Sequence, residues 1–185
     1  KKLLDDLGWK DTDGDGIRED DQGHPISFTL NTNVENNTRL QMCNLIKEDL
    51  SQVGIEVVFK ALDFNGLVTR MRDSHEWDMI LLGWGAGVPA DPSNSKNINR
   101  SGGRLHVWYP GQPQPSPIEW EREVDVLVGQ LDRELDEELR KGISDQIQIK
   151  ISQNIPIIYL VASNQYALAK NSIGNLWPSL LRPTV

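Results

Sequence analysis

The sequence predicts an α/β domain, because segments with the two-residue periodicity of strands alternate along the chain with segments of helical periodicity. The strongest strand predictions are residues 26–30, 55–62 and 77–82. The last of these runs directly into a glycine-rich loop, an arrangement typical of α/β proteins where ligands bind. The 185 residues suffice for one sizeable domain with its own core.

The chain opens with a short predicted helix. Leu3, Leu4 and Leu7 share one helical face, and Gly8 is suited to end the helix because glycine readily adopts a left-handed conformation. A polar loop follows, and apolar residues then alternate with polar ones over residues 26–30, which predicts the first strand.

A helix and a strand are predicted next. Residues 38–41 (Thr-Arg-Leu-Gln) have the form of a capping box, so we expect this helix to open at Thr38 and to end at Gly54. Cys43, the only cysteine, lies on its apolar face and is expected to be a buried free thiol. Residues 55–62 are rich in β-branched side chains, which favours a strand.

The next segments are a capped helix, a strand and a long loop. Asp63 is expected to cap a short helix, and the strand over residues 77–82 follows it. Residues 93–117 are predicted to be a long loop, and a loop of this length is usually functional or covers a site.

Two helices and two further strands are predicted after the long loop. The second helix has its apolar positions at Leu135, Leu139, Ile143, Ile147 and Ile151. Pro156 limits this helix, residues 157–161 are predicted to be a buried strand, and residues 166–169 are a further strand candidate.

Composition and motifs exclude several classes of function. The chain has 19 Lys and Arg against 27 Asp and Glu, so its formal net charge of −8 repels phosphate backbones and excludes nucleic acid as a partner. No serine lies in a strand-to-helix nucleophile elbow, and no histidine pair has the spacing of zinc ligands. We therefore predict that the protein is not an enzyme. A hydrolase that uses scattered carboxylates stays an alternative, although nothing singles out a pair.

The sharpest local motif predicts a calcium site. Aspartates at positions one, three and five, glycine at six and a backbone carbonyl at seven are the pattern of a calcium-binding loop. The predicted ligands are Asp11, Asp13, Asp15, Ile17 and Glu19. Gln22 stands at position twelve, where a complete loop has a bidentate glutamate. The alternative is a solvated turn whose aspartates accept hydrogen bonds from nearby backbone amides.

The glycine-rich loop after residues 77–82 is the predicted ligand-binding loop. A dinucleotide-binding loop would open a helix, and this one continues into Val-Pro-Ala-Asp-Pro instead. We predict that its backbone approaches a ligand and that Trp84 serves as a platform, with a core position for Trp84 as the alternative. The predicted ligand-binding residues of this loop are Trp84, Gly85, Ala86, Gly87 and Asp91.

Trp108 completes the predicted binding residues. It lies with His106 in the long loop, and an aromatic-rich loop either lines a pocket or seals its own small core. The acidic residues Glu119, Glu121, Glu123 and Asp125 open the following helix. The helix dipole, which favours negative charge at this end, is a sufficient explanation for them.

Six segments in order give a family resemblance. They are residues 4–19 (LDDLGWKDTDGDGIRE), 46–57 (IKEDLSQVGIEV), 77–84 with Asp91-Pro92 after it, 105–113 (LHVWYPGQP), 119–125 (EWEREVD) and 147–159 (IQIKISQNIPIIY). Together they resemble the extracytoplasmic oligopeptide- and dipeptide-binding proteins of ABC importers. The resemblance implies one lobe of a two-lobed periplasmic-binding-protein-like fold, with a mixed sheet flanked by helices. It assigns residues 1–185 to the C-terminal lobe, with residues 165–185 returning toward the other lobe.

The resemblance also implies the function. Family members bind their ligand between two lobes, so we expect an oligopeptide ligand, ABC permease subunits as partners and no required cofactor beyond a possible structural calcium ion. Peptide-binding members place an aspartate about three residues before the Asp-Pro pair, where this chain has Val88. Some relatives bind oligosaccharides, and Trp84 with Trp108 would suit stacking on a sugar.

The implied location is extracytoplasmic, either periplasmic or as a cell-surface lipoprotein. Any membrane attachment is expected to come from the permease or from a lipid anchor outside this chain. The longest apolar runs are too short to span a bilayer.

Overall fold

A small parallel sheet organises the first part of the chain. The computed structural model describes residues 1–85, 91–162, 170, 172 and 174. The chain divides into two compact units, Lys1–Trp84 and Gly85–Val185. The α/β class predicted from the sequence is confirmed.

The sheet of the first unit has three strands in the order β2-β1-β3. β1 (Ser27–Asn33) is central, and β2 (Glu56–Leu62) and β3 (Met79–Ile80) both run parallel to it. β3 is shorter than the predicted strand over residues 77–82. The sheet, which was expected to be mixed, is parallel throughout the described residues.

Three helices and one π-helical turn accompany the sheet. They are α1 (Lys2–Asp6), α2 (Asn37–Ser51), α3 (Phe64–Thr69) and the π-helical turn Arg70–Ser74. α2 opens one residue earlier than predicted, because its N-cap is Asn36 and not Thr38, and the Asn36 side chain accepts a hydrogen bond from the Arg39 amide. Asp63 caps α3 as predicted, with its Oδ1 accepting from the Gly66 amide at 2.9 Å.

The core of the first unit lies between α2 and the sheet. Leu30, Cys43 and Val57 are buried there, and the partly buried residues around them are Ile46, Leu50, Phe59, Met79 and Leu81. Cys43 is fully buried and free, as predicted. Burial raises the pKa of its thiol to about 11, because the charged thiolate is poorly solvated.

The second unit is helical in its described residues. A 3-10 turn (Pro92–Ser95) leads into α4 (Lys96–Asn99), and the two long helices are α5 (Glu119–Leu131) and α6 (Glu137–Asn154). The segment predicted as one long loop, residues 93–117, therefore begins with helical turns. α5 and α6 bury a shared core of Val124, Leu127, Val128, Leu131, Ile147 and Ile151.

Two of the apolar positions predicted for α6 do not reach this core. The helix begins at Glu137 because Asp136 caps it, and its side chain accepts from the Leu139 amide. Leu135 therefore precedes the helix and is 92% exposed, and Leu139 in the first turn is 59% exposed.

The strand predicted over residues 157–161 is also wrong for the described structure. The segment has no strand pairing, and Ile158, Tyr159, Leu160 and Val161 are exposed. Because a strand forms only when a neighbour completes its hydrogen bonds, an apolar run alone does not determine it. The predicted strand at 166–169 and the predicted return segment 165–185 lie outside the described residues, apart from residues 170, 172 and 174.

Among the described residues, no helix has both the length and the apolar character needed to cross a membrane.

Candidate functional site

Buried polar side chains collect where β1 ends. Asn31, Thr32 and Asn33 are the last three residues of the strand, and all are buried. The Asn31 amide donates to the carbonyl oxygen of Lys60 at 3.1 Å, and the Thr32 hydroxyl donates to that of Leu81 at 2.8 Å. The side-chain oxygen of Asn31 is buried and has no hydrogen-bond partner among the described residues. A buried side-chain acceptor without a partner is unusual in a folded protein.

Arg39 adds a positive charge at the same edge. Its Nη1 donates to the side-chain oxygen of Asn33 at 2.7 Å, which holds the guanidinium at the end of β1. A Cβ atom built on Gly83 would lie 2.7 Å from Nη2 of Arg39, so the chain leaving β3 passes directly against the guanidinium. The glycine permits this close approach. Trp84 follows and is 37% exposed.

Glu35 completes the polar edge. Its Oε2 accepts from the Asn33 amide at 2.9 Å, and its Oε1 accepts from the Phe64 backbone amide at 3.1 Å. These hydrogen bonds, with that of Asn33 the largest effect, lower the pKa of Glu35. The carboxyl ends of parallel strands are where α/β sheets bind ligands, so this edge is the candidate ligand site of the first unit.

Sequence reasoning did not identify the polar residues of this edge. The available signal was the change within one strand from Phe28 and Leu30, which alternate with polar residues, to the unbroken polar run 31–33. The predicted platform Trp84 lies next to this edge in the chain and is neither buried nor part of a core cluster. Its role in binding stays a prediction.

The rest of the predicted loop is described only in part. Gly85 has open space around it, since no heavy atom lies within 4 Å of a Cβ built there. Ala86 and Gly87 lie outside the described residues, as does Val88. Their roles in ligand binding stay predictions.

Asp91 has two structural partners in the second unit. Its Oδ1 accepts from the Ser93 amide at 2.7 Å, and its carboxylate pairs with Nη2 of Arg140 at 2.8 Å and 2.9 Å. The Ser93 hydrogen bonds and then the Arg140 charge lower the pKa of Asp91. Asp91 therefore ties the 3-10 turn to α6, and a role in ligand binding stays a prediction.

Trp108 belongs to a buried polar cluster centred on Glu121. The indole Nε1 donates to Glu121 Oε1 at 2.9 Å, and Gln112 Nε2 and Ser116 Oγ donate to Oε2 at 2.8 Å and 2.7 Å. His106 packs its ring on Trp108 with centroids 4.0 Å apart. The loop therefore packs around a small polar core of its own, and a role for Trp108 in ligand binding stays a prediction.

Glu121 corrects the prediction made for the acidic start of α5. Glu119 and Glu123 are exposed, as the helix-dipole explanation requires, but Glu121 is fully buried. Burial raises the pKa of Glu121, but the hydrogen bonds from Ser116, Gln112 and Trp108 outweigh it and lower the pKa below its ordinary value. The carboxylate thus stays charged inside the protein. The sequence gives no sign that Glu121 is buried, because it lies among the exposed acids of the same helix start.

The acidic loop brings together the carboxylates predicted to bind calcium. One oxygen from each of Asp11, Asp13, Asp15 and Glu19 lies within 4.8 Å of the others. Gly14 and Gly16 have left-handed backbones, with φ of 84° and 92°, which allow the tight turn.

The same carboxylates also accept hydrogen bonds from the loop. Asp11 accepts from the Gly14 and Gly16 amides at 2.7 Å and 3.0 Å, and Glu19 Oε2 accepts from the Thr12 amide at 2.7 Å. The amide of Ile17 donates to Asp15 at 2.7 Å. Convergent carboxylates fit a hard cation, and hydrogen bonds of this kind orient such ligands. Calcium binding stays a prediction.

One protein family and several individual proteins are similar to this chain in sequence. The sequence pattern described as "Bacterial extracellular solute-binding proteins, family 5 Middle" matches residues 1–105. The oligopeptide-binding protein AppA of Bacillus subtilis (strain 168) is 30% identical over 179 residues, which are 94% of this chain and 31% of AppA. A probable ABC transporter-binding protein of Deinococcus radiodurans is 30% identical over 171 residues, covering 87% of this chain and 28% of that protein. The chain therefore spans less than a third of the length of these curated relatives.

Solved structures agree with the sequence comparisons. The structure of B. subtilis AppA in complex with a nonapeptide matches with a TM-score of 0.67 and 30% identity, covering 84% of this chain and 29% of AppA. A periplasmic oligopeptide-binding protein of Thermotoga maritima with bound mannohexaose matches with a TM-score of 0.66 and 26% identity, covering 84% of this chain and 28% of that one.

These matches confirm the family resemblance read from the six sequence segments and the periplasmic-binding-protein-like fold that it implied. The relatives are solute-binding proteins and not enzymes. The chain belongs to family 5 of the bacterial extracellular solute-binding proteins.

Proposed function

We propose that this chain is part of the substrate-binding component of an ABC importer, and that the whole protein binds an oligopeptide between two lobes. In this proposal, residues 1–185 form the C-terminal lobe, and the partners are ABC permease subunits. The protein itself lies outside the cytoplasm, either periplasmic or held at the cell surface. Support comes from the family and from AppA, whose structure holds a nonapeptide. The protein is expected to release its ligand unchanged and to catalyse no reaction.

The observation that carries the proposal is the polar edge at the end of β1. Arg39 is anchored by Asn33 and lies against Gly83, immediately before Trp84. A guanidinium at a sheet edge suits the carboxylate or carbonyl groups of a peptide, and an aromatic platform suits its side chains.

Oligosaccharide is the second candidate ligand. The T. maritima relative, with 26% identity, was solved with mannohexaose. Val88 stands where the resemblance places the aspartate for a peptide amino terminus, and an exposed Trp84 suits the face of a sugar.

The two ligand classes are separated by thermal shift and calorimetry on the intact protein. A pool of nonapeptides and mannohexaose are each titrated under the same conditions, and a ligand that binds the folded state raises Tm with concentration. Stabilisation by peptides alone supports the first proposal, and stabilisation by mannohexaose alone supports the second. Stabilisation by neither contradicts both.

We also propose that the loop of residues 11–19 holds a structural calcium ion. The ligands would be Asp11, Asp13, Asp15, Glu19 and the backbone carbonyl of Ile17. Bound calcium would screen four carboxylates from one another and stabilise the loop next to β1. Chelation is then expected to lower Tm in the wild type, with recovery on adding calcium, and Asp15→Asn should remove the response. Asp21→Asn, an exposed neighbour outside the cluster, is the control and should respond as the wild type does.

A further inference from the structure

The loop between α4 and α5 is held by two carboxylates on one face of α5. Glu121 and Asp125 lie four residues apart, one helical turn, so their side chains share a face. Asp125 accepts from both the backbone amide and the hydroxyl of Ser101 at the start of the loop. Glu121 accepts from Trp108, Gln112 and Ser116 farther along it. Residues 101–118, here called the anchored loop, are thus fixed to α5 at both ends.

Glu121 is unusual because its charge is buried. Its side chain has no exposed surface, and a carboxylate stays ionised in such a place only when several donors surround it. In the part of the chain that the structure describes, its three hydrogen-bond donors and the His106 ring nitrogen 3.3 Å away all belong to the anchored loop. The carboxylate therefore acts as an organising centre for that loop.

His106 contacts both Gln112 and Glu121. Its Nδ1 lies 3.1 Å from the Ile98 carbonyl oxygen, which can only accept, so Nδ1 carries a hydrogen. Its Nε2 lies 2.9 Å from Gln112 Nε2 and 3.3 Å from Glu121 Oε1. Gln112 Nε2 also donates to Glu121 Oε2 at 2.8 Å. These contacts hold the His106 ring and the Gln112 amide against the Glu121 carboxylate.

The hydrogen bond to Glu121 determines which part of the Trp108 indole a ligand can contact. An indole has a single polar hydrogen, and Trp108 donates it to Glu121. The ring is half-buried, with His106 packed on it at an interplanar angle of 51°. What remains for a ligand is the apolar ring itself. A carboxylate that accepts from the N–H also enriches the ring in electron density, which favours C–H groups and cations against its face.

We propose that Glu121 is a positioning residue for ligand binding, which turns the Trp108 N–H inward and presents the indole ring as a stacking surface for C–H or cationic groups. This inference rests on the proposed function. Such groups come from two sources, the side chains of a peptide or the apolar face of a sugar, and the nonapeptide pool and mannohexaose distinguish them.

The test compares three variants of the intact protein. Glu121→Gln keeps the shape of the side chain but removes the charge and one acceptor. Trp108→Phe keeps an aromatic ring and removes the N–H. Asp125→Asn is the matched control, because Asp125 anchors the same loop from the same helix face without touching Trp108. Each is titrated with both probes by calorimetry, well below its own Tm.

We expect Glu121→Gln to weaken binding about tenfold, the change that corresponds to one charge-assisted hydrogen bond. Asp125→Asn should lower Tm while keeping affinity within about twofold. Trp108→Phe should weaken binding to a similar extent, because it removes the same N–H and with it the hydrogen bond that orients the ring. Wild-type affinity in Trp108→Phe would overturn the proposal, since the hydrogen bond to Glu121 would then play no part in presenting the ring to ligand.

A second readout does not depend on ligand. In ¹⁵N-labelled protein, the Trp108 indole N–H resonance should lie downfield and move upfield in Glu121→Gln. If the resonance moves and affinity stays the same, Glu121 positions the ring but ligand does not use it, and the inference fails while the proposed function stands. If the wild type binds neither probe, the proposed function fails, and an unmoved resonance would also remove the positioning role.

Discussion

Replacing Glu121 with alanine should destabilise the second unit more than any other change to an acidic residue of α5. The variant leaves buried donors on Gln112 and Ser116 and the half-buried donor on Trp108 without their acceptor. A buried donor left unsatisfied costs about 1–3 kcal/mol. Three such donors, each at the lower figure, reduce the free energy of unfolding by about 3 kcal/mol. For a chain of this size, that lowers Tm by roughly 6–12 °C.

The assay is urea and thermal denaturation at pH 7, followed by circular dichroism and tryptophan fluorescence. Glu119→Ala is the control, because Glu119 lies two residues earlier in the same helix and is exposed. Its free energy of unfolding should stay within about 0.5 kcal/mol of the wild type. If Glu121→Ala and Glu119→Ala unfold alike, the buried carboxylate does not hold the anchored loop and the reasoning is refuted.

Three further predictions follow from pKa values and from the sheet edge. The pKa of Glu121 is lowered in the folded state from its ordinary 4.5, so the stabilisation that its charge provides is fully present above pH 4.5 and is lost as pH falls through the folded pKa. The difference in unfolding free energy between the wild type and Glu121→Gln should therefore shrink on acid titration below pH 4.5. A constant difference down to pH 3 would contradict this. Arg39→Met should weaken ligand binding by about tenfold or more, as expected for losing a charge-assisted hydrogen bond. The control is Arg72→Met, which replaces an exposed arginine of the same unit and should bind ligand as the wild type does. Equal affinities of the two variants in calorimetry would show that Arg39 is not part of the site. Cys43, buried and with a pKa of about 11, should react with a thiol reagent at pH 8 only after denaturation, and rapid labelling of the folded protein would show that the core beside α2 opens.

Local chemistry was enough to predict the frame of the first unit. β1 and β2 were predicted because β-branched and alternating side chains suit a pleated surface, and the caps of α1 and α3 were predicted at Gly8 and Asp63. The acidic loop was predictable for the same reason, since its aspartates and glycines act through neighbouring backbone atoms. In these segments, the residues that determine the structure lie within a few positions of one another.

The incorrect or missed predictions concern residues whose structure depends on distant parts of the chain. Residues 157–161 have the composition of a strand, but a strand depends on a partner that lies elsewhere. Glu121 has the same neighbours in sequence as an ordinary helix-start acid, and only the return of the anchored loop over α5 buries it. The polar edge at Asn31 and Arg39 is likewise assembled from β1, α2 and the segment after β3, so no single segment reveals it.

The most direct test of the account is a calorimetric titration of the intact protein with the nonapeptide pool, run for the wild type, Arg39→Met and Arg72→Met. The account predicts saturable binding by the wild type and by Arg72→Met, and weaker binding by about tenfold or more in Arg39→Met. Absence of wild-type binding, or equal affinities in all three proteins, would contradict the assignment of the peptide site to the carboxyl edge of this sheet.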